Sequence, residues 1–165
     1  MKCSPSIHDS DNYQTYNPVL MCEKEERAFE QLTAWTLGLG DAEFIHQHVV
    51  DAWAAQHATE KSRPISIAFA LIGLYLHLDK GMTGREVQQV HMRLAQPRGR
   101  GPGRKDWPGF PIPEERGKTT AIEVIAAPEM ERSAMIDRWC RSVWEAWKNS
   151  HVAIAEWASR DLPNQ

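Results

Sequence analysis

The sequence predicts an all-α protein, a single-domain bundle of five or six helices. Apolar residues recur at helical spacing along most of its 165 residues, and no alternating run is long enough to predict a β-strand. Residues 65–78 contain no charged side chain, which is typical of a helix that is buried on all sides. A chain of this length can form one domain with its own core.

The predicted domain follows a polar N-terminal segment. Residues 1–20 are rich in Ser, Asp, Asn and Pro, which predicts a disordered or loosely ordered arm. The bundle domain is then expected to span residues 21–160. Its first helix is predicted at residues 23–39 from apolar residues at helical spacing, and it ends at the glycines around Leu39.

Residues 41–79 predict a helical hairpin. Asp41 can cap the first helix, and Pro64 suits the first position of the second. The connection between them is short, which favours antiparallel neighbours. Residues whose numbers sum to roughly 122 then lie at the same level of the hairpin, so we expect His46 to face His77.

The first helix of the hairpin carries three histidines. At 100° per residue, His46 and His57 share one line with the apolar residues Val49, Val50 and Trp53. His48, Asp51 and Ala55 fall on the opposite side. The pattern therefore predicts that His46 and His57 lie inward and that His48 lies on the solvent face.

Three further helices are predicted beyond the hairpin. Capping boxes, in which a threonine precedes a glutamate by three residues, begin one helix at Thr83 and a short helix at Thr120 that ends at Ala126. Pro128 begins the longest predicted helix, which continues to about Ala158 with a break near Asn149.

Residues 97–118 hold five prolines and five glycines, and so predict a long irregular loop. Its first half is basic and could contact an anion, a nucleic acid or a protein partner, with a merely solvated loop as the alternative. Its second half, residues 107–113, mixes aromatics with prolines and is expected to lie across an apolar surface. The four cations of the first half are Arg98, Arg100, Arg104 and Lys105.

Composition excludes several classes of protein. The net charge of −3 makes a protein that mainly coats nucleic acid unlikely. Three cysteines without a CxxC pair form neither a disulfide framework nor a zinc knuckle, which favours a reducing, cytoplasmic location. No signal peptide is visible, and no apolar stretch is long enough to predict a membrane span.

Three segments resemble a known family. These are HQHVVDAWAAQH at residues 46–57, the apolar helix that ends in LHLDKG, and WCRSVWEAW at residues 139–147. In this order they resemble a bacterial family of small helical proteins that is catalogued only as a domain of unknown function, over residues 22–151. The resemblance implies no established activity. The matching positions are His46, Gln56 and His57, whereas this chain lacks the family's N-terminal cysteine pair and has Ala70 in place of a histidine.

The first hypothesis for a site is a divalent metal, such as zinc, or a small polar ligand near the predicted histidine pair. A buried imidazole without a partner is costly, and neutral histidine is a common metal ligand. The expected ligands are His46, His77, His91 and Glu43. Alternatively, each histidine bonds a neighbouring carbonyl or side chain inside the core.

The second hypothesis is a small-molecule pocket lined by tryptophans. Trp53 and Trp107 could line it, with Trp107 on a loop that could close over a ligand. The family resemblance adds Gln56 and His57 to the expected ligand-binding residues. Ordinary packing of the tryptophans in the core is the alternative.

These hypotheses predict two alternative functions. In the first, a soluble helical bundle binds a metal or a small polar ligand, and any catalysis is metal-assisted hydrolysis or group transfer. In the second, a non-catalytic interaction or regulatory module meets a protein partner through the basic loop and exposed aromatics. The sequence leaves open whether the protein is an enzyme.

Overall fold

The computed structural model describes residues 18–96 and 107–162 of the chain. Within these ranges it contains α-helices, short 3₁₀ turns and no strands, which confirms the predicted all-α class. Seven α-helices are described: α1 Pro18–Gly38, α2 His46–Gln56, α3 Pro64–Leu78, α4 Gly84–Ala95, α5 Ala121–Ala126, α6 Arg132–Ala146 and α7 His151–Asp161.

Some predicted segments fall partly or wholly outside the described ranges. The basic half of the loop, with Arg98, Arg100, Arg104 and Lys105, lies outside the described residues, as do residues 1–17 of the predicted arm. The helix α1 begins at Pro18, within the segment predicted as an arm. The domain boundaries of residues 21–160 stay a prediction.

The apolar helix α3 lies at the centre of the bundle, where α2, α4, α6 and α7 contact it. Its side chains Leu71, Ile72 and Leu74 are almost fully buried. Pro64 occupies its first turn, as predicted, because proline needs no backbone partner there. No helix in the described ranges has the length and the apolar character required to cross a membrane.

The helix α2 begins five residues later than its predicted cap. Asp41 accepts a hydrogen bond from the backbone N–H of Ile45 at 3.0 Å, so it stabilises a turn rather than a helix end. Phe44 has a φ angle of +55°, a left-handed conformation that interrupts a helix. The helix therefore begins at His46.

The predicted orientation of α2 is wrong. The side expected to face solvent is buried, since His48, Asp51 and Ala55 are 5%, 3% and 0% exposed. Val50, which was expected to lie inward, is 36% exposed. The physical reason is that α1, α3, α4 and α6 all contact α2, so that it has no broad solvent face for its polar residues.

The single helix predicted from Pro128 to Ala158 is divided. The helix α6 ends at Ala146, 3₁₀ turns precede and follow it, and α7 begins at His151, so the break predicted near Asn149 separates two helices. The helix α1, with 21 residues, is longer than either. This division raises the number of helices to seven.

The second half of the loop lies across an apolar surface, as predicted. The ring of Trp107 lies 5.1 Å from the ring of Phe69 and 5.4 Å from the ring of Trp157, measured between centroids. Phe110 is 9% exposed, and Ile112 packs against the core. These contacts hold a segment without helix against α3 and α7.

Candidate functional site

The imidazole that faces His77 in the hairpin is His48, not His46. The two rings are stacked with centroids 3.6 Å apart and an angle of 22° between their planes. The ring of His46 lies elsewhere, with Nδ1 2.9 Å from Oγ1 of Thr36 on α1. The hairpin predicted from the sequence is present, but its register brings the second histidine of α2 against α3.

His77 connects this stack to a carboxylate near the surface. Its Nε2 lies 2.9 Å from Oδ1 of Asp137 on α6, and its Nδ1 lies 3.3 Å from the carbonyl oxygen of Met82. Both ring nitrogens of His77 therefore face oxygen acceptors. The Asp137 side chain is 50% exposed and that of His77 is 17% exposed, so this pair reaches solvent.

His48 is held as a neutral ring. Burial, together with the neighbouring His77, lowers the pKa of His48 to about 3. Its Nδ1 is buried and has no hydrogen-bond partner. A neutral imidazole carries one acceptor and one donor, so at this position a polar group of His48 is unused.

Asp51 lies one helical turn after His48 on α2 and is fully buried. Burial raises its pKa well above the usual value, which favours the neutral acid, while a hydrogen bond from Gln47 acts in the opposite direction. The Gln47 amide donates to Oδ1 at 3.1 Å, whereas Oδ2 has no partner. The carboxyl group fills the space that a side chain at Gly73 would occupy.

His91 on α4 joins the same group of residues. Its Nδ1 lies 3.3 Å from Nε2 of Gln47, and its Nε2 is buried without a partner. Burial lowers the pKa of His91 to about 4, so the ring is neutral at pH 7. The ring of Phe69 packs against it with centroids 4.9 Å apart.

Contacts link these buried and half-buried side chains in two sets. Gln47 bonds Asp51 and His91, and His48 stacks on His77. The two sets meet on α2, where His48 and Asp51 are three residues apart on one helix face. We define the polar cluster as Gln47, His48, Asp51, His77 and His91. Three of the four buried side-chain nitrogen or oxygen atoms that lack a partner in the described ranges belong to it. Buried polar atoms are normally hydrogen-bonded, because leaving one unpaired costs about 1–3 kcal/mol. Because three such atoms lie in the cluster, we take the cluster as the candidate functional site.

Cys140 lies beside the cluster but does not supply a nucleophile. Its thiol is fully buried and donates a weak hydrogen bond to the carbonyl oxygen of His48 at 3.7 Å. Burial raises the pKa of Cys140 well above its usual value, and the carboxyl groups of Asp137 and Asp51 act in the same direction. The reactive thiolate is therefore disfavoured.

The four predicted metal ligands do not come together. His77 and His91 lie in the cluster, whereas His46 bonds Thr36 and the Glu43 side chain is exposed. Across residues 18–96 and 107–162, no group of three or more His, Cys, Asp or Glu side chains is arranged to hold a metal ion.

Of the four predicted ligand-binding residues, Trp53 and His57 contact each other. Trp53 stacks between Phe29 and His57, and His57 contacts Glu25 at 3.3 Å, which places these residues at the α1 side of the bundle. Trp107 packs instead against Phe69 on α3 and Trp157 on α7. The structure does not bring the four residues into one pocket.

Gln56 forms three hydrogen bonds with other parts of the protein. It accepts from the indole of Trp139 at 2.7 Å and donates to the carbonyl oxygens of Arg116 and Thr119 at 3.2 and 2.9 Å. This geometry joins α2 to α6 and to the segment before α5. It is a structural role that uses both amide hydrogens of Gln56.

The sequence contained two unused signals for the cluster. His48 and Asp51 are three residues apart, a spacing that places two side chains together on one helix face. Gly73 interrupts a helix of large apolar residues, as glycine does where another group must approach closely. Gln47 and Asp137 carried no comparable signal.

The comparison with known families identifies one match. The family of unknown function DUF5946 matches residues 22–148, which is more than half of the chain. The chain belongs to DUF5946. No curated protein and no solved structure matches it. The whole cluster, with Asp137 and Cys140, lies within the part that matches DUF5946.

Proposed function

We propose that this DUF5946 protein binds a small polar ligand at the polar cluster. The observation that carries the proposal is the presence of three buried atoms without partners, His48 Nδ1, Asp51 Oδ2 and His91 Nε2. A buried polar atom without a partner is costly, and a ligand with matching groups removes that cost. A core that served only stability would be better filled by apolar side chains of similar volume.

The neighbouring pair of His77 and Asp137 connects the site to solvent. His77 is stacked on the buried His48 while Asp137 is half-exposed, so the pair lies between solvent and the cluster. Both ring nitrogens of His77 already face oxygen acceptors, so we propose that the pair closes the site on its solvent side and that ligand contacts come from the buried atoms.

A divalent metal is the other ligand that we expected from the sequence. The absence of a suitable group of three or more side chains in the described ranges makes a polar molecule the better-supported ligand. If an ion binds instead, His48 and Asp51 would be its nearest protein groups, and metal-assisted hydrolysis or group transfer would be the corresponding chemistry.

The interaction module remains a second proposal. Its basic loop lies outside the described residues, and the large apolar side chains exposed within 22–96 and 107–162 are aliphatic rather than aromatic. Under this second proposal, the cluster is a group of polar residues in the core that binds no ligand. A cytoplasmic location, inferred from the cysteine count, likewise stays a prediction.

Native mass spectrometry and elemental analysis of untagged protein test the first proposal. We expect a bound small molecule, present in wild type and lost in Asp51→Ala and His48→Phe, because each variant removes a polar group of the cluster. His57→Phe is the matched control, since it changes a histidine near the end of α2 outside the cluster.

The outcomes separate the proposals. Wild-type protein without any bound species, and without ligand-dependent thermal stabilisation across a panel of small amides, acids and alcohols, would contradict ligand binding and favour the interaction module. A stoichiometric metal lost in His48→Phe but not in His57→Phe would identify an ion as the ligand.

A further inference from the structure

Gln47 joins His91 to Asp51 through a single amide nitrogen. Its Nε2 lies 3.3 Å from Nδ1 of His91 and 3.1 Å from Oδ1 of Asp51. An amide nitrogen carries two hydrogens and cannot accept a hydrogen bond. Both contacts are therefore donations by Gln47, and together they use both of its hydrogens.

This contact determines which nitrogen of His91 carries hydrogen. Because Nδ1 accepts from Gln47, the single hydrogen of the neutral ring must be on Nε2. The carbonyl of Phe69 raises the pKa of His91, as an acceptor close to the ring does, although burial outweighs it and Nε2 forms no hydrogen bond. His91 Nε2 is thus a buried N–H that forms no hydrogen bond within the described residues.

Asp51 presents a second buried donor that forms no hydrogen bond. Its Oδ1 accepts from Gln47, so the hydrogen of the neutral acid belongs on Oδ2, the oxygen without a partner. Burial favours this neutral form by raising the pKa of Asp51. The cluster therefore offers hydrogens to a ligand from two of its unpaired atoms.

The donor and acceptor roles of the two His91 nitrogens are the reverse of those in a metal-binding histidine. A ligating histidine usually donates one ring N–H to a carbonyl or carboxylate, which leaves a lone pair on the other nitrogen for the ion. Here the neighbour of His91 is itself a donor, so Nε2 has no free lone pair. A positively charged ligand would meet hydrogens rather than lone pairs at these atoms.

We propose that Gln47 is a positioning residue that fixes His91 as an Nε2–H donor, and that the ligand of the cluster carries a carbonyl-type acceptor oxygen, as in an amide or a carboxylic acid. The ligand class rests on the proposed function. The tautomer of His91 does not, because it follows from the contact with Gln47 alone.

Nitrogen-15 NMR of the full chain labelled at histidine tests the tautomer. We expect His91 at pH 7 to be protonated at Nε2, and the hydrogen to move to Nδ1 in Gln47→Glu, because a carboxylate accepts where the amide donated. Gln89→Glu, on an exposed position of α4, is the matched control and should leave His91 unchanged. Protonation at Nδ1 in wild type would overturn the inference even if the variant fails to fold.

Two probes, acetamide and Zn²⁺, test the ligand class in the same sample. Acetamide should shift the His91 Nε2–H resonance in wild type, and this shift should be lost in Gln47→Glu. Zn²⁺ should leave the wild-type resonance unchanged. Zn²⁺ binding at His91 in wild type would overturn the ligand class. The predicted tautomer without any response to acetamide would overturn the ligand class and contradict the proposed function, while the role of Gln47 would stand.

Discussion

Asp51 and Gly73 illustrate how one residue depends on the absence of a side chain in another. The carboxyl group of Asp51 on α2 occupies the position of a Cβ at Gly73 on α3. Glycine lowers helix stability by about 1 kcal/mol relative to alanine. Its presence in this buried helix is explained by the space that it leaves for a polar group.

Gly73→Ala should therefore be destabilising, by about 1–3 kcal/mol in the free energy of unfolding, since a methyl group would overlap the carboxyl. In an Asp51→Ala background the same change should be neutral or stabilising by up to about 1 kcal/mol, because only the helix propensity remains. Urea denaturation of the four proteins measures this. Equal costs of Gly73→Ala in both backgrounds would contradict the contact.

Among the secondary-structure elements, the segment between Trp107 and α5 depends on α2 and α6 for its position. Gln56 binds two of its carbonyl oxygens, and the hydroxyl of Ser142 accepts the backbone N–H groups of Lys118 and Thr119. A segment without helix has no internal ladder of hydrogen bonds. These side chains supply its partners instead.

Gln56→Met should loosen this segment while keeping the volume of the side chain. The indole of Trp139 and the two backbone carbonyls lose their partner, and we expect a loss of about 2–3 kcal/mol in the free energy of unfolding. Hydrogen exchange of residues 107–120 should accelerate more than that of α3. Gln89→Met on exposed α4 is the control, and an equal effect of both variants would argue against the role of Gln56.

For the whole molecule, the buried ionisable groups predict a dependence of stability on pH. His48 and His91 have pKa values of about 3 and about 4 in the folded chain, below the ordinary 6.5. At pH values between the folded pKa of each histidine and 6.5, the unfolded chain binds protons that the folded chain does not. Their contribution to the free energy of unfolding is therefore constant above pH 6.5 and decreases as the pH falls from 6.5 towards 4.

Asp51 acts in the opposite direction, because its pKa is raised above 3.8 by burial and the folded chain keeps a proton that the unfolded chain releases. Two histidines oppose one carboxyl group, so acidification should be destabilising through the cluster. His48→Phe should reduce the slope of stability against pH between 6.5 and 4.5, by at most about 1.4 kcal/mol per pH unit.

Urea denaturation at several pH values measures this slope. Val90→Ala is the control, because it removes buried apolar volume without removing an ionisable group and should lower stability equally at each pH. A slope in His48→Phe that is identical to that of wild type would contradict the buried, neutral state of His48.

The sequence by itself determined the class of the fold and most of its elements. Helical spacing of apolar residues, the uncharged stretch that forms α3 and the capping boxes before α4 and α5 act over neighbouring residues, so they can be recognised without knowing the fold. The hairpin of α2 and α3 was likewise predictable from its short connection.

Only the tertiary structure determined the candidate site. The orientation of α2 depends on how many helices surround it, and its contacts with four others buried the polar side that the pattern assigned to solvent. The stack of His48 on His77 and the bridge of Gln47 to His91 join residues 29 and 44 positions apart. Such contacts follow from the packing of whole helices, which local periodicity does not contain.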